Sequence, residues 1–245
     1  LGTKNGLIVF DRRTEKYRHY HPAPHLTDGL KAISINDIFH DRSGVTWIAS
    51  SHGALERVSR YGRKFKLYRR SHDSGGDAVS LSSNRIVTIF EDSRGILWLG
   101  TQGKGLNEYN RKTGMIKHYR HSKSNPGSIS EDNIYAISEA PTGTLWLGTH
   151  EKGLNKMDME SGTITRYPRG EPKKGKSTAG PCSNNITALL ATSPTTLWIG
   201  SYEGLSILDI PSRVFTTYRH EPGKPGSISQ DLIFCQDGDR IPGKR

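Results

Sequence analysis

Short apolar stretches recur along the chain at nearly constant spacing, and each is followed by polar residues and a glycine-containing turn. The clearest marker is a tryptophan, and its four copies lie 51, 48 and 52 residues apart, at Trp47, Trp98, Trp146 and Trp198. The text around them is almost the same each time: SGVTWIAS, RGILWLGT, TGTLWLGT and PTTLWIGS. Self-similarity at a fixed period indicates an architecture built from repeated structural units.

Each unit reads as four short strands, here called a, b, c and d. In the copy around Trp98 they are NRIVTIFED, ILWLGT, GLNEYN and MIKHYR. Gly95 and Gly114 stand between strands, where tight hairpins need a positive φ. Strand a is nearly continuous in apolar character, which is typical of a strand buried on both faces.

Strand d has a different pattern, which predicts an outer, half-solvated strand. We expect Ile116 and Tyr119 to point inward, and Lys117 and His118 to point outward.

Four antiparallel strands repeated every 40–50 residues are typical of an all-β fold, the β-propeller. We predict one propeller region over residues 1–245, with about five blade-equivalents: four complete blades and two partial ones. The repeats are expected at about 1–21 (partial), 30–69, 81–120, 129–168, 182–219 and 227–237 (partial). The four tryptophans are predicted to fill the space between adjacent blades; the alternative is an aromatic binding box.

The two ends of the chain are complementary. Leu1-Gly2-Thr3 matches the LGT that follows Trp98, and Gly226-Ser227-Ile228-Ser229 opens another strand a. One interpretation is that the terminal strand closes a five-bladed ring. The other, which we favour, is a fragment of a larger propeller, since a start inside strand b is unusual.

Composition narrows the functional classes only slightly. The net charge of +11 is spread over every repeat, and the densest cluster, Lys173, Lys174 and Lys176, reads as a solvated loop. No stretch is long and apolar enough for a membrane helix, no secretory signal is visible, and nucleic acid is not an expected partner. Cys182 and Cys235 read as two small semi-buried thiols, too few for a thiolate zinc site.

Catalytic motifs are absent from the sequence. It contains no HExxH, no GxSxG and no phosphate-binding loop, and no cofactor or metal is predicted. His19 and His21 would share a strand face without a third ligand, and His118 and His121 read as a repeated polar edge.

Candidate ligand-binding residues lie in the b–c hairpins, which open on the same propeller face as the d-to-a linkers. Function usually resides on loops held by a rigid scaffold, and these hairpins differ while their flanks do not. The predicted residues are His52, Gln102, Lys104, His150, Glu151, Lys152, Tyr202 and Glu203. They suit a polar ligand such as a glycan, and Lys4, Lys104 and Lys152 could favour an anionic one.

The repeated text resembles the two-component regulator propeller repeat, of the form N-x-I-x-x-I-x-x-D-x-x-G-x-L-W-[IL]-G-T-x-x-G-L-x-x-[YF]. Residues 84–109 fit it almost throughout, and 133–158 and 185–209 fit with lapses such as Ala140 for the acidic residue and Thr195 for the glycine. The linkers SNPGSISEDNI and GKPGSISQDLI also match, so the resemblance covers nearly all of residues 1–235.

The resemblance implies a sensor propeller, usually seven-bladed, in the extracytoplasmic (periplasmic) part of bacterial hybrid histidine kinases or diguanylate cyclases. It further implies a phosphorelay or cyclase output module, and any membrane segment, outside this chain, with the signal relayed through a homodimer. The alternatives are a protein-interaction scaffold and, third, an enzyme like the streptogramin lyases, whose propellers resemble this repeat distantly.

Overall fold

The computed structural model describes residues 1–26, 28–52, 54–58, 65–70, 80–171 and 177–234. Within these residues every regular element is a β-strand, and the strands form five separate antiparallel sheets. Consecutive sheets pack against one another in chain order. The predicted all-β propeller architecture is therefore confirmed.

Blades 1 and 2 contain the first seven strands. Blade 1 has three: β1 (Gly2–Thr3), β2 (Gly6–Asp11) and β3 (Lys16–Tyr20). Blade 2 has four: β4 (Ile35–His40), β5 (Thr46–Ser50), β6 (Ala54–Val58) and β7 (Phe65–Tyr68).

Blades 3 and 4 repeat the four-stranded plan. Blade 3 contains β8 (Ile86–Glu91), β9 (Leu97–Thr101), β10 (Leu106–Tyr109) and β11 (Ile116–Tyr119). Blade 4 contains β12 (Ile134–Glu139), β13 (Thr144–Thr149), β14 (Leu154–Asp158) and β15 (Ile164–Tyr167).

Blade 5 has one strand more than the sequence predicted. It contains β16 (Ser177–Thr178), β17 (Ile186–Ser193), β18 (Thr196–Ser201), β19 (Gly204–Asp209) and β20 (Val214–Tyr218). The extra strand β16 pairs with the outer edge of β20 through Ser177–Thr216 and Thr178–Phe215. The lysine cluster at Lys173, Lys174 and Lys176, and also Cys235, lie outside the described residues.

The apolar core lies between blades rather than inside them. Trp47 of blade 2 packs in one cluster with Ile86 and Leu97 of blade 3. Trp98 of blade 3 joins Ile134 of blade 4 in a second cluster. A third cluster places Trp146 among the strands of blade 5. Since no blade buries its faces alone, the stacking of neighbours supplies the hydrophobic stabilisation.

An acidic residue six positions before the tryptophan fixes the indole in two blades. The indole N–H of Trp47 donates to Asp41 at 2.8 Å, and that of Trp98 donates to Asp92 at 3.0 Å. In blade 4 the indole of Trp146 donates instead to the backbone carbonyl of Ala140, at 2.6 Å. The missing carboxylate of blade 4 is thus replaced by a backbone acceptor.

Trp198 differs from the other three tryptophans. Trp47, Trp98 and Trp146 are no more than 2% exposed, whereas Trp198 is 39% exposed. That it fills an inter-blade space stays a prediction, because the described residues that follow blade 5 end at 234. Its side of blade 5 is covered only in part, and Leu190 and Tyr218 beside it in the sheet are also exposed.

Small residues after the tryptophan allow adjacent blades to approach closely. A Cβ added at Gly148 would lie 2.5 Å from Cγ2 of Ile186, the first residue of the next strand a. The same relationship joins Gly2 to Ile35 and Gly200 to Ile233. Glycine at this position therefore sets the spacing between blades, and Ala49 is the departure from the pattern.

Strand d does not have the predicted inward and outward faces. Ile116 packs in the cluster of Trp47, toward blade 2, while the ring of Tyr119 lies 5.7 Å from that of Trp98, toward blade 4. His118 lies on the same side as Ile116, and its Nε2 is 2.8 Å from the carbonyl of Ser80. Residues three apart on a strand point to opposite faces, so both faces of strand d are used for inter-blade packing.

A buried polar residue of strand c holds the linker that enters each blade. Asn107 accepts the backbone N–H of Ser82 at 2.8 Å, and Asn155 accepts that of Ser130 at 2.9 Å. In blade 2 the same task falls to Glu56, which accepts the backbone N–H of Lys31. Burial raises the pKa of Glu56, and the N–H donors oppose that shift without cancelling it.

The five blades do not close into a ring. Residues 232–234 lie where a further strand a belongs, and the N–H of Ile233 donates to the carbonyl of Ser201 at 2.9 Å. Among the described residues this segment does not pair with β1, which is an edge strand of blade 1. The closed five-bladed arrangement considered from the sequence is therefore not the one observed.

Candidate ligand-binding face

The b–c hairpins and the d-to-a linkers meet at one end of the blades, here called the loop face. The backbone N–H of Gly105 donates to the carbonyl of Asp132 at 2.8 Å, and that of Gly153 donates to Asn184 at 2.9 Å. Both glycines have a positive φ, and a Cβ on either would strike the carbonyl of the strand-d tyrosine. These contacts fix the backbone at the base of each hairpin, so the residues that can vary are those at the hairpin tips.

Histidines strengthen the linkers rather than forming a metal site. The N–H of His121 donates to Asp132 at 2.7 Å and its Nδ1 is 2.9 Å from the carbonyl of Ile129, a pattern repeated at His220. The rings of His19 and His21 stack at 6.1 Å. Within the described ranges no group of three or more His, Cys, Asp or Glu side chains is arranged to hold a metal ion.

The predicted site residues all lie on hairpin tips of the loop face, but they do not form one cluster. Most are exposed, whereas His150 and Glu203 are half-buried; the exposed ones are His52, Gln102, Lys104, Glu151, Lys152 and Tyr202. No hydrogen bond, ion pair or ring contact among the described residues joins the side chains of the blade 2 and blade 3 tips to those of blades 4 and 5.

Blades 4 and 5 bring several of these residues together. The rings of His150 and Tyr202 meet edge to face, with centroids 6.4 Å apart. Nδ1 of His150 lies 3.7 Å from a carboxylate oxygen of Glu151, whose backbone N–H donates to Glu131 at 2.8 Å. This part of the loop face therefore combines rings, carboxylates and amides over two adjacent blades.

Glu203 is held by neighbouring cations. Its carboxylate lies 2.9 Å from Arg169 and 3.6 Å from Arg219, and it also accepts the hydroxyl of Ser183 at 3.2 Å. These contacts tie the hairpin of blade 5 to the linker that enters that blade.

The structure adds residues that sequence reasoning missed. In blades 2 to 5 the second residue of strand a forms a β-bulge. It has no partner residue on strand b, whereas the residues on either side of it do. A bulge bends the strand and re-aims a side chain. The bulge residues are Asn36, Val87, Tyr135 and Thr187, and Phe234 occupies the same position after Ile233.

Bulge residues make contacts of two kinds, one between neighbouring blades and one within a blade. Asn36 donates to the carbonyl of Ile86 at 2.6 Å, and the hydroxyl of Thr187 donates to the carbonyl of Ile233. Tyr135 instead stacks on His150, with centroids 5.2 Å apart and planes at 30°. In the sequence, the only signal of these positions is that the residue differs from blade to blade, whereas the isoleucine directly before it is the same in each blade.

The fold and its loop face define a β-propeller built from antiparallel, four-stranded blades that stack in chain order. Residues 80–103 and 128–151 match the sequence model of the family described as "Two component regulator propeller". These two segments, in blades 3 and 4, are therefore similar to the repeat of that family. No curated protein matches the sequence.

Solved structures show the same fold at low sequence identity. One, described as the extracellular domain of hybrid two component system BT3049 from B. thetaiotaomicron, is 23% identical with a TM-score of 0.66, covering 78% of this chain and 25% of that one. A second, from the B. thetaiotaomicron system BT4673, is 19% identical with a TM-score of 0.56, covering 88% and 35%. This chain thus spans about a quarter to a third of their length.

An enzyme is also among the similar structures. An inactivated virginiamycin B lyase from Staphylococcus aureus, solved with quinupristin, is 18% identical with a TM-score of 0.53, covering 77% of this chain and 56% of that one. This likeness concerns the fold alone. Within the described residues no helix is long and apolar enough to cross a membrane.

Proposed function

We propose that this chain is the ligand-binding sensor propeller of a bacterial two-component-type signalling protein, and that it operates outside the cytoplasm. Two segments that match the two-component regulator propeller family support this assignment, as do similar structures described as extracellular domains of hybrid two component systems from B. thetaiotaomicron. A kinase or cyclase output module would lie outside the chain and receive the signal through a change in dimer geometry.

The proposal rests on one observation about the loop face: the groups that fix the hairpin backbone are the same in successive blades, whereas the residues at the hairpin tips differ. Hairpin glycines and linker carbonyls repeat from blade to blade, while the tips present different polar groups. A rigid scaffold that holds variable polar loops is the usual arrangement of a recognition surface. The ligand we propose is polar and small or oligomeric, such as a glycan.

We further propose that the chain binds without catalysis. At the tip of blade 4, Nδ1 of His150 lies 3.7 Å from a carboxylate oxygen of Glu151, but the His150 ring also stacks on Tyr135, and the backbone N–H of Glu151 donates to Glu131. Such mutual contacts suit a recognition surface, in which side chains are held for contact with a ligand.

The test measures binding of polar oligosaccharides, neutral and acidic, to the purified 245-residue chain by calorimetry. We expect at least one of the double variants Gln102→Ala/Lys104→Ala and Glu151→Ala/Lys152→Ala to weaken binding about tenfold, since each removes polar groups of the loop face. The matched control, Lys112→Ala/Thr113→Ala, changes a c–d turn at the opposite end of blade 3 and should bind as the parent does.

Two results would contradict the proposal. Equal binding by the loop-face variants, with loss in the Lys112/Thr113 control, would move the site to the other end of the blades. Chromatographic detection of a cleaved or rearranged oligosaccharide after incubation would show that the chain is an enzyme.

A further inference from the structure

Four rings form a continuous row across blades 4 and 5 of the loop face. Tyr135 stacks on His150 at 5.2 Å, His150 meets Tyr202 at 6.4 Å, and Tyr202 meets Phe234 at 6.0 Å. We call these four residues the aromatic row. It joins two bulge positions of strand a with two hairpin tips, so it depends on the contact between adjacent blades.

Two rings of the aromatic row, Tyr202 and Phe234, are open to solvent, whereas Tyr135 and His150 are half-buried. Tyr202 is 43% exposed and Phe234 is 62% exposed, whereas the ring of Tyr167 packs 5.8 Å from the buried Trp146. An aromatic ring that is exposed to solvent lacks the stabilisation that burial would give it, and these two exposed rings do not belong to the apolar core between blades. Aromatic side chains offer a large rigid contact area at low entropic cost, which suits a binding surface.

Two carboxylates beside the aromatic row are engaged by neighbouring groups. The carboxylate of Glu131 accepts the side-chain amide of Asn133 and the backbone N–H of Glu151. Glu203 is paired with Arg169 and Arg219. Carboxylates and cations thus lie together here, and a surface of mixed sign favours neither a cationic nor an anionic ligand.

Polar groups at the row are suited to neutral hydroxyls. Burial raises the pKa of Tyr135, and the nearby Tyr202 and Glu131 raise it further, so its hydroxyl stays protonated at neutral pH. Glu151, at the edge of the row, is exposed and can accept a hydrogen bond. Rings flanked by such groups match a molecule with an apolar face and a rim of hydroxyls.

We propose that the aromatic row is the platform for an uncharged saccharide chain, whose rings lie on Tyr202 and its neighbours. The inference rests on the proposed function and deepens it, because it places the ligand on blades 4 and 5 and adds Tyr135 and Phe234 to the site. The lysine tips at Lys104 and Lys152 then make no electrostatic contribution to affinity.

The experiment titrates the 245-residue chain by calorimetry with neutral hexasaccharides of glucose, mannose and xylose, and with oligogalacturonates as charged probes. We expect a neutral probe to bind with an affinity that does not change with added salt. Tyr202→Ala and Phe234→Ala should each weaken it about tenfold, since each removes an exposed ring on which a sugar ring would lie. Tyr202→Phe should keep most of the affinity.

The matched control is Tyr17→Ala, which removes an exposed tyrosine that lies 4.8 Å from Phe10 in blade 1. This variant should bind the neutral probe as the parent does. Far-ultraviolet circular dichroism of each variant separates loss of binding from loss of fold.

The outcomes separate this inference from the broader proposal. Binding of oligogalacturonate that weakens with salt, is lost in Lys104→Ala/Lys152→Ala and is unchanged in Tyr202→Ala would overturn the aromatic row but keep the loop face as the site. Binding that is insensitive to every loop-face variant would overturn both. Failure of all neutral probes to bind would overturn the saccharide assignment.

Discussion

The indole N–H of Trp98 donates a 3.0 Å hydrogen bond to the carboxylate of Asp92, six residues earlier and on the far side of the a–b turn. The other carboxylate oxygen of Asp92 accepts the backbone N–H groups of Arg94 and Ile96, both at 2.9 Å. One buried carboxylate thus closes the turn and orients the ring that fills the space before blade 4.

Replacing Asp92 with asparagine should therefore destabilise blade 3. The amide has one acceptor oxygen, so it cannot serve both the turn N–H groups and the indole, and a buried donor loses its partner. We expect the free energy of unfolding to fall by about 1–3 kcal/mol, measured by urea denaturation with tryptophan fluorescence. Asp209→Asn, at an exposed turn where the carboxylate accepts from Ser212, is the control; an equal loss there would contradict this reasoning.

Gly148→Ala should weaken the contact between blades 4 and 5. The new Cβ would lie 2.5 Å from Cγ2 of Ile186, and the buried sheets can separate only by losing packing. We expect a loss of about 1–3 kcal/mol in stability, again by urea denaturation. Gly127→Ala, where the nearest atom is the flexible Asn125 side chain at 3.2 Å, should change stability far less. Similar effects at both sites would show that inter-blade spacing is not set by Gly148.

The pKa of Asp41 predicts how the free energy of unfolding changes with acid. Burial raises its pKa, but hydrogen bonds from Ser43, Trp47 and Val45, together with Arg111, outweigh burial and lower the pKa below its ordinary value. The ionised form therefore stabilises the fold above about pH 3.9, the value for an unfolded aspartate. That stabilisation is lost as pH falls through the folded pKa. Urea midpoints measured against pH should decline less steeply below this value in Asp41→Asn than in the parent.

Glu56 predicts a contribution of the opposite sign. Its pKa is raised by burial, so the folded chain holds this proton more tightly than the unfolded chain does. Stability should fall as pH rises from about 4.3, the unfolded value, through the folded pKa. Glu56→Gln should remove this decline, because Asn107 and Asn155 hold the equivalent linkers as neutral amides. An unchanged pH profile in the variant would be evidence against the assignment.

Of the four tryptophans, only Trp198 should be accessible to a quencher in solution, and the other three should be protected from it. Trp198 is 39% exposed, so acrylamide should quench its emission, and Trp198→Phe should remove most of the quenchable signal. Trp146→Ala should cost about 3–5 kcal/mol, as buried aromatic truncations do, and Trp198→Ala should cost clearly less. Quenching that persists in Trp198→Phe would place another indole in solvent.

The order of the strands within a blade could be predicted from the sequence, because each blade repeats the same turn residues and the same apolar positions. The pairing of b with c and of c with d follows the predicted hairpins in every complete blade. The two faces of strand d were assigned wrongly, since both Ile116 and Tyr119 meet a neighbouring blade. The burial of Trp198 could not be judged either, because it depends on what packs beside blade 5.

The aromatic row lay beyond sequence reasoning for a different reason. Tyr135 reaches His150 because a bulge takes it out of the ladder, and bulges depend on the register between two strands. Tyr202 meets the row only through stacking of blades 4 and 5. The hairpin tips were found from their variation, whereas Tyr135 and Phe234 look like ordinary members of strand a.

The bulge on strand a gives each blade one residue whose identity is independent of sheet pairing. Asn36, Val87, Tyr135 and Thr187 differ in size and polarity, yet the ladders on either side keep the same register. Substitution at these positions can change the chemistry of the loop face while the ladder within the blade keeps its register. The chemistry of the loop face can therefore differ from blade to blade on one common scaffold.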